Sequence, residues 1–382
     1  MRLERTLYIT SEFGLALSLI AVLAFAGCGG GGATIKSVLV QMGGGLQGAS
    51  LSLTTAVSTI AGSGAPGAAD NSVGTLATFW APDGISTDGL NLYVADVNNH
   101  KIRKIVIASG QVSTLAGSGV PGSADNATGT LATFNFPRGI TTDGRNLYVA
   151  DTSNNMIRQV VISSGAVSTV AGNTTPGAVD FIGTSASFSA PHGITTDGTN
   201  LYVADYGNNK IRKILISSGA VTTLAGSGAA GSADNATGTS ATFQHPYGIT
   251  TDGINVYVTD YGNNKIRKIV IASGAVTTLA GSGLAGADDN VTGTLATFRG
   301  PDGITTDGFN LYVADTGNNT VRKIVIATGA VTTLAGSALA GGGATDNSMG
   351  TSATFSGPSG ITTDGKSLYV TDANNNKVRR IQ

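Results

Sequence analysis

A segment of about 55 residues occurs six times in this chain of 382 residues, and this repeat constrains the fold more than any other feature. The clearest copy spans residues 246–300 and begins PYGITTDGINVYVTDYGNNKIRKIVIASGAVTTLAG. Each copy starts at an anchor proline: Pro82, Pro137, Pro191, Pro246, Pro301 and Pro358. A repeat of this length cannot bury its apolar face alone, so adjacent copies must pack against each other.

Each copy contains four short segments rich in β-formers, separated by tight turns. In the first copy these are residues 82–87, 92–96, 101–107 and 112–117. Asp-Gly between two apolar runs is a hairpin signal, since glycine adopts a positive φ at little cost. No segment shows a helical period. The pattern predicts an all-β fold, a six-bladed β-propeller of four-stranded antiparallel blades.

The outermost segment, with the pattern V-x-T-x-A-G, follows only five of the six anchor prolines, because the sixth copy stops at Gln382. The missing copy is VSTIAG at residues 57–62, before the first anchor proline. We therefore expect the last blade to be closed by an N-terminal strand. Closure of this kind removes the exposed strand edges that promote aggregation.

The motif Y-V-A-D-x-x-N-N-x-I-R-K-I, with P-x-G-I before it, resembles the NHL repeat of bacterial proteins over residues 57–382. The resemblance implies a six-bladed propeller. It leaves the activity open, because the family includes binders of RNA and protein, sensor domains and a few enzymes.

Residues 1–27 are predicted to be a lipoprotein signal peptide. Arg2 and Arg5 precede an apolar run of 15 residues at 13–27, which is too short for a membrane span. The sequence FAGC, ending at Cys28, resembles a lipobox, which implies cleavage before Cys28 and its acylation. The protein would then lie in the cell envelope with the membrane as a partner, and Gly29 favours the outer membrane in a Gram-negative cell. The alternative is an ordinary secretory signal.

Residues 28–55 are predicted to form a glycine-rich tether, and residues 56–382 the propeller. The tether contains glycine runs at 29–32 and 43–45, which behave as flexible coil. After Cys28 the chain has 20 Lys and Arg against 21 Asp and no Glu. This balance excludes the strong basic surplus typical of nucleic-acid binders, so we expect no nucleic acid as a partner.

Several polar residues recur in every copy, which indicates a structural role, because an active site needs only one copy. The recurring acid and base are Asp96/Arg103, Asp151/Arg158, Asp205/Arg212, Asp260/Arg267, Asp315/Arg322 and Asp372/Arg379. We interpret them as structural ion pairs. An Asp-Asn pair in the connectors, such as Asp125-Asn126, is interpreted as a turn cap, with calcium binding as the alternative.

Three positions near the anchor proline vary between copies while the turns at the other end of each blade barely change. They are the residue after the proline, the residue two before it and the residue after Y-V-x-D. An identical scaffold with a varied rim is how repeat proteins build binding surfaces. The alternative is drift at exposed positions. The predicted rim comprises Trp80, Asp83, Arg138, His192, Tyr206, Tyr247, Tyr261, Arg299, Asp302 and Ser359.

This rim predicts a binding or scaffold module for a protein, peptide or glycan. Arg138 and Arg299 would bind anionic groups, and Trp80 and the tyrosines would offer flat stacking surfaces. No catalytic motif or cofactor is implied. The alternative is a metal-dependent lactonase or lyase at the channel mouth. Its candidate ligands are Asp83, His192 and Asp302, an oxygen and imidazole set that suits Zn, Mn or Fe.

Overall fold

The computed structural model of the protein describes residues 50–338 and 341–382. These residues form 24 strands in six antiparallel sheets of four strands each. A single strand, β1 (Val57–Ala61), precedes the first anchor proline. The strands of the six blades are, in chain order, β2 (Pro82–Thr87), β3 (Asn91–Asp96), β4 (Lys101–Val106) and β5 (Val112–Ala116); β6 (Pro137–Thr142), β7 (Asn146–Asp151), β8 (Met156–Val161) and β9 (Val167–Gly172); β10 (Pro191–Thr196), β11 (Asn200–Asp205), β12 (Lys210–Leu215) and β13 (Ala220–Ala225); β14 (Pro246–Thr251), β15 (Asn255–Asp260), β16 (Lys265–Val270) and β17 (Val276–Ala280); β18 (Pro301–Thr306), β19 (Asn310–Asp315), β20 (Thr320–Val325) and β21 (Val331–Gly336); β22 (Pro358–Thr363), β23 (Leu368–Asp372) and β24 (Lys377–Ile381).

Short 3-10 turns interrupt the described chain, one in each connector and one after the second strand of each blade. They are Gly74–Leu76, Val97–Asn99, Gly129–Leu131, Thr152–Asn154, Gly183–Ser185, Tyr206–Asn208, Gly238–Ser240, Tyr261–Asn263, Gly293–Leu295, Thr316–Asn318, Gly350–Ser352 and Ala373–Asn375. No helix in residues 50–338 and 341–382 is long and apolar enough to cross a membrane.

The sixth blade closes the ring with a strand from the other end of the propeller. Its order is β1, β24, β23 and β22, and Val57 pairs with Ile381. This confirms the predicted six-bladed fold and the N-terminal closing strand.

The hydrophobic core lies between the blades. In the second strand of the first blade, Leu92, Tyr93 and Val94 are all fully buried, because both faces of the strand meet a neighbouring blade. The recurring tyrosines pack in this core and keep a hydroxyl partner: Tyr93 donates to Asp88 at 2.7 Å. A single repeat therefore supplies one side of each hydrophobic core, and the neighbouring blade supplies the other side.

Every blade contains a fully buried Asp–Arg ion pair, as the sequence predicted. In the first blade the Arg103 guanidinium lies 2.6 Å from Asp96, 2.7 Å from Asp70 and 5.1 Å from the centre of the Phe79 ring. Both side chains of each inner pair are inaccessible to solvent, and their separations are 2.6–2.8 Å. Arg103 thereby joins the third strand to the connector that enters its blade.

The connector residues also hold the outer edge of each blade. Asp70 accepts hydrogen bonds from Arg103 and from the backbone of Thr114, and Asn71 forms a bridge with Val112. The Asn71 side chain caps its own turn by accepting from the Val73 N–H at 2.9 Å. Asn71 matches the turn-cap interpretation, whereas Asp70 binds Arg103 and Thr114 instead of its own turn. Together these contacts place the connector along an otherwise exposed edge.

Residues 50–55, which the sequence assigned to the tether, contact the propeller. Leu51 is buried in the core beside blade six, and its N–H donates to Asp307 at 3.0 Å. Glycine content alone predicted a tether to residue 55, but two leucines, Leu51 and Leu53, give residues 50–55 an apolar surface to bury. The predicted signal peptide, Cys28 and the rest of the tether lie outside the described residues.

Candidate functional site

The candidate site lies at the end of the central channel where the innermost strands begin, which we call the top face. The opposite end, formed by the T-D-G-x-N hairpins, is the lower face. The glycine after each anchor dipeptide allows the innermost strands to approach closely: a Cβ on any of the six would lie 2.1–2.3 Å from a carbonyl oxygen of the next blade. This close approach brings the six residues that follow the anchor prolines within reach of each other.

Three of these six residues meet across the mouth of the channel. Arg138 donates to Asp83 at 2.8 Å and to the Tyr247 hydroxyl at 2.7 Å, and that hydroxyl donates to Asp83 at 3.0 Å. Asp83 belongs to blade one and Tyr247 to blade four, on opposite sides of the ring. Burial, with the charges of Asp302 and Asp83, raises the pKa of Tyr247 well above its usual value, so the hydroxyl stays a donor.

Ser359 connects the two acidic residues of the ring. Its hydroxyl oxygen lies 2.5 Å from Asp83 Oδ1 and 3.0 Å from Asp302 Oδ2. Burial and the neighbouring charge of Asp83 raise the pKa of Asp302 well above its usual value. Both carboxyl groups are almost fully buried, so the acidic side of the mouth is a solvent-poor polar site.

The other side of the mouth is aromatic. The His192 ring stacks on Tyr206 with centres 4.2 Å apart, and Tyr206 stacks on His245 at 4.6 Å. The edge of Tyr247 meets His192 at 4.3 Å, and Tyr261 lies 5.8 Å from Tyr247. Burial, and to a lesser extent the charge of Arg138, keep the pKa of His192 well below its usual range, so its imidazole is neutral.

The remaining predicted rim residues surround this centre with exposed side chains. Trp80 is 49% exposed and Tyr261 38%, and Arg299 is also exposed. Arg138, predicted as an anion-binding group, already forms an ion pair with Asp83. Arg299 forms no ion pair within the described residues and is therefore the available cation of the rim.

The candidate metal ligands Asp83, His192 and Asp302 do not assemble into one ligand set. Ser359 bridges Asp83 and Asp302, whereas His192 packs against Tyr206 and Tyr247. In the part of the chain that the structure describes, no three His, Cys, Asp or Glu side chains are grouped so that they could hold a metal ion.

Sequence reasoning missed the residue immediately before each anchor proline. All six have a positive φ, between 46° and 59°: Ala81, Phe136, Ala190, His245, Gly300 and Gly357. The N–H of each donates to a side chain of the preceding blade, Asn in five cases and His100 Nδ1, at 3.1 Å, for Phe136. Glycine at two of the six positions was the available signal. Phe136, 40% exposed, and His245 thereby join the top face.

No protein-family model matches the chain. It is 30% identical over 327 residues to human NHL repeat-containing protein 2, an alignment that covers 75% of this chain and 44% of the relative. It is 32% identical over 275 residues to protein SUPPRESSOR OF QUENCHING 1, chloroplastic, of Arabidopsis thaliana, covering 65% of this chain and 25% of that protein. The chain thus spans less than half the length of these curated relatives.

Solved structures show the same architecture. A Bacteroides thetaiotaomicron protein of unknown function gives a TM-score of 0.64 at 21% identity, covering 85% of this chain and 75% of that one. An auxiliary nutrient binding protein from the same organism gives 0.63 at 17% identity, covering 85% and 76%. A gluconolactonase from Xanthomonas campestris gives 0.53 at 13% identity, covering 80% and 86%. At these identities the likeness shows the fold alone.

Proposed function

Because the chain belongs to the NHL-repeat proteins and is a six-bladed propeller, we propose that it is an exported, lipid-anchored module that binds a protein, peptide or glycan on its top face. The observation that carries this proposal is the asymmetry of the top face. Six equivalent positions bear six side chains of which only Asp occurs twice, whereas the lower-face hairpins keep T-D-G in every copy and vary mainly at the one residue that follows it. A preorganised polar centre beside exposed aromatic side chains is typical of ligand sites.

The exposed part of the rim has the composition of a binding hot spot. Trp80, Tyr261 and Arg299 are the residue types that carry most of the binding energy in interfaces. The fold does not decide between binding and catalysis, since auxiliary nutrient binding proteins and a gluconolactonase share it. The proposal therefore rests on the side chains of the rim.

We expect a triple variant, Trp80→Ala, Tyr261→Ala and Arg299→Ala, to lose its partner while keeping its fold. The measurement is a crosslinking pulldown from native envelope, and we expect capture to fall about tenfold or more because interface anchors each contribute strongly. The matched control changes three exposed residues of the lower-face hairpins, Leu90→Ala, Ile254→Ala and Phe309→Ala. Loss of the partner in the control but not in the rim variant would show that the top face is the wrong surface.

Replacement of Cys28 by Ser is expected to release the protein from the membrane. The sequence FAGC supplies the acylation site, and stable anchoring requires more than one acyl chain, which lipoprotein processing provides. Membrane fractionation of the Cys28→Ser variant should place it in the soluble fraction, whereas the control Ser37→Ala stays with membranes. Equal membrane association of both variants would contradict the lipid anchor.

A further inference from the structure

A cavity of about 60 Å³ lies directly inside the top-face mouth. Its polar lining comes from Asp83, His192, Tyr247 and Asp302, and the rest is glycine backbone and isoleucine. Among the described residues, the cation that contacts these carboxyl groups is Arg138, which is paired with Asp83. Within the described residues the Asp302 carboxyl group forms no ion pair, and its one hydrogen-bond partner is Ser359.

A second observation that points to a ligand is a buried imidazole nitrogen without a hydrogen-bond partner. His192 is 7% exposed and lines the cavity, yet its Nδ1 atom has no hydrogen-bond partner among the described residues. Buried polar atoms in native proteins are nearly always satisfied, so an unpartnered imidazole nitrogen in a residue that lines the cavity requires an explanation. A ligand with hydrogen-bond donors would supply the missing partner.

The hydrogen atoms around Ser359 can be counted. A serine hydroxyl donates only one hydrogen bond, yet Ser359 lies within hydrogen-bond distance of both Asp83 and Asp302. If Ser359 donates to Asp83 at 2.5 Å, its contact with Asp302 is a hydrogen bond only when Asp302 carries a proton. Burial and the neighbouring charge of Asp83 raise the pKa of Asp302, which favours this proton on Asp302.

We propose that this cavity binds the protonated primary amine of a ligand held on the top face, and that the ammonium takes the place of the proton on Asp302. In the exchange, the Asp302 carboxylic acid releases its proton to solvent and the ammonium brings one positive charge, so the charge of the site is unchanged. The ammonium has three donors, which suit the Asp302 carboxylate and the orphaned His192 nitrogen. The ring of Tyr247, which lines the cavity, adds cation–π attraction. The inference rests on the proposed binding function and names the chemistry of its ligand.

The exchange makes affinity depend on pH. The groups that face Asp302 are Asp83, Ser359 and Arg138, with Tyr247 and His192 across the cavity. Asp83 and burial favour the protonated acid, whereas Ser359 and Arg138 oppose it. While Asp302 is protonated in the free protein, the amine must displace that proton, so affinity rises about tenfold per pH unit. Between the pKa of Asp302 and that of the amine, affinity is constant, and it falls once the free amine loses its proton.

The test is calorimetry of the full-length lipidated protein in detergent. The probes are glucosamine and Nα-acetyl-lysine amide, and their neutral counterparts are N-acetylglucosamine and Nα-acetyl-norleucine amide. We expect at least one amine to bind about tenfold or more tighter than its counterpart and to release about one proton in buffers of different ionisation enthalpy. The better amine distinguishes an amino sugar from a lysine side chain. Amines that bind no better than their neutral counterparts, or that release no proton, would overturn the proposal.

An Asp302→Asn variant should lose both the selectivity for amines and the proton release, because Asn cannot exchange a proton. The control Asp288→Asn removes a carboxylate in the blade five connector and should keep both properties. If the amines fail but the Trp80, Tyr261 and Arg299 variant still loses its captured partner, the binding function stands and the amine proposal falls. The comparison of amine with neutral probe on the unmodified protein needs no variant to fold.

Discussion

Deletion of residues 1–62 is expected to destabilise the propeller by several kcal/mol relative to deletion of residues 1–49. The longer deletion removes β1, whose Val57 and Ala61 are almost fully buried and whose backbone pairs with β24. It leaves β24 as an unpaired edge and exposes the core around Ile381. The loss is a large share of the roughly 5–15 kcal/mol that keeps an average domain folded.

The shorter deletion is the matched control, because it also lacks Cys28 but keeps every described residue, including the packed Leu51. The measurement is the free energy of unfolding in denaturant, together with the rate of proteolysis. Equal stability of the two truncated proteins would contradict closure by β1.

The second large effect is expected from Arg212→Met in blade three. Asp205 would remain fully buried without its cation, keeping only hydrogen bonds from the Ser189 N–H and the Asn208 amide, each at 2.8 Å. Breaking a buried pair by removing one partner costs about 3–5 kcal/mol. Arg145→Met, at an exposed lower-face hairpin, is the control and should change stability by less than about 0.5 kcal/mol.

The pH dependence of this variant has a definite sign. Burial already raises the pKa of Asp205, and loss of Arg212 removes a positive charge that lowers it. The folded variant then takes up a proton more readily than the unfolded chain, so its stability deficit should shrink as pH falls from 8 to 5. The double variant Asp205→Leu with Arg212→Met should recover part of the loss. An Arg212→Met protein as stable as the control would show that the pair does not hold the blade together.

The fold was predictable because the sequence signals that determine it lie within a single repeat. The Asp-Gly hairpins and the alternating strands are local, and the unmatched VSTIAG segment, which forms β1, could be counted without knowing any contact. The Asp96–Arg103 pair was predicted as structural for the same reason, since it recurs in every copy. The contact of residues 50–55 with the propeller could not be predicted, because the partner of Leu51, Asp307, lies 256 positions away.

The arrangement of the site was only partly predictable. Sequence comparison between repeats identified the variable positions, but not that Asp83 reaches Tyr247 across the ring or that Ser359 bridges two carboxyl groups. These contacts depend on the radius of the ring of innermost strands. That radius is set by the glycine in each of these strands, which allows close approach to the next blade. The positive φ before each proline was hidden because Ala81, Phe136 and Ala190 are of residue types that rarely adopt it.

The most direct test of the central claim, that the top face is the binding surface, is to replace either Arg299 or Arg145 with a photocrosslinking amino acid. Both arginines are exposed, Arg299 at the top face and Arg145 at the lower face, so the two proteins differ mainly in the face that is probed. Irradiation in native envelope should crosslink a partner through position 299 and not through position 145. A partner crosslinked through position 145 and not through position 299 would contradict the claim.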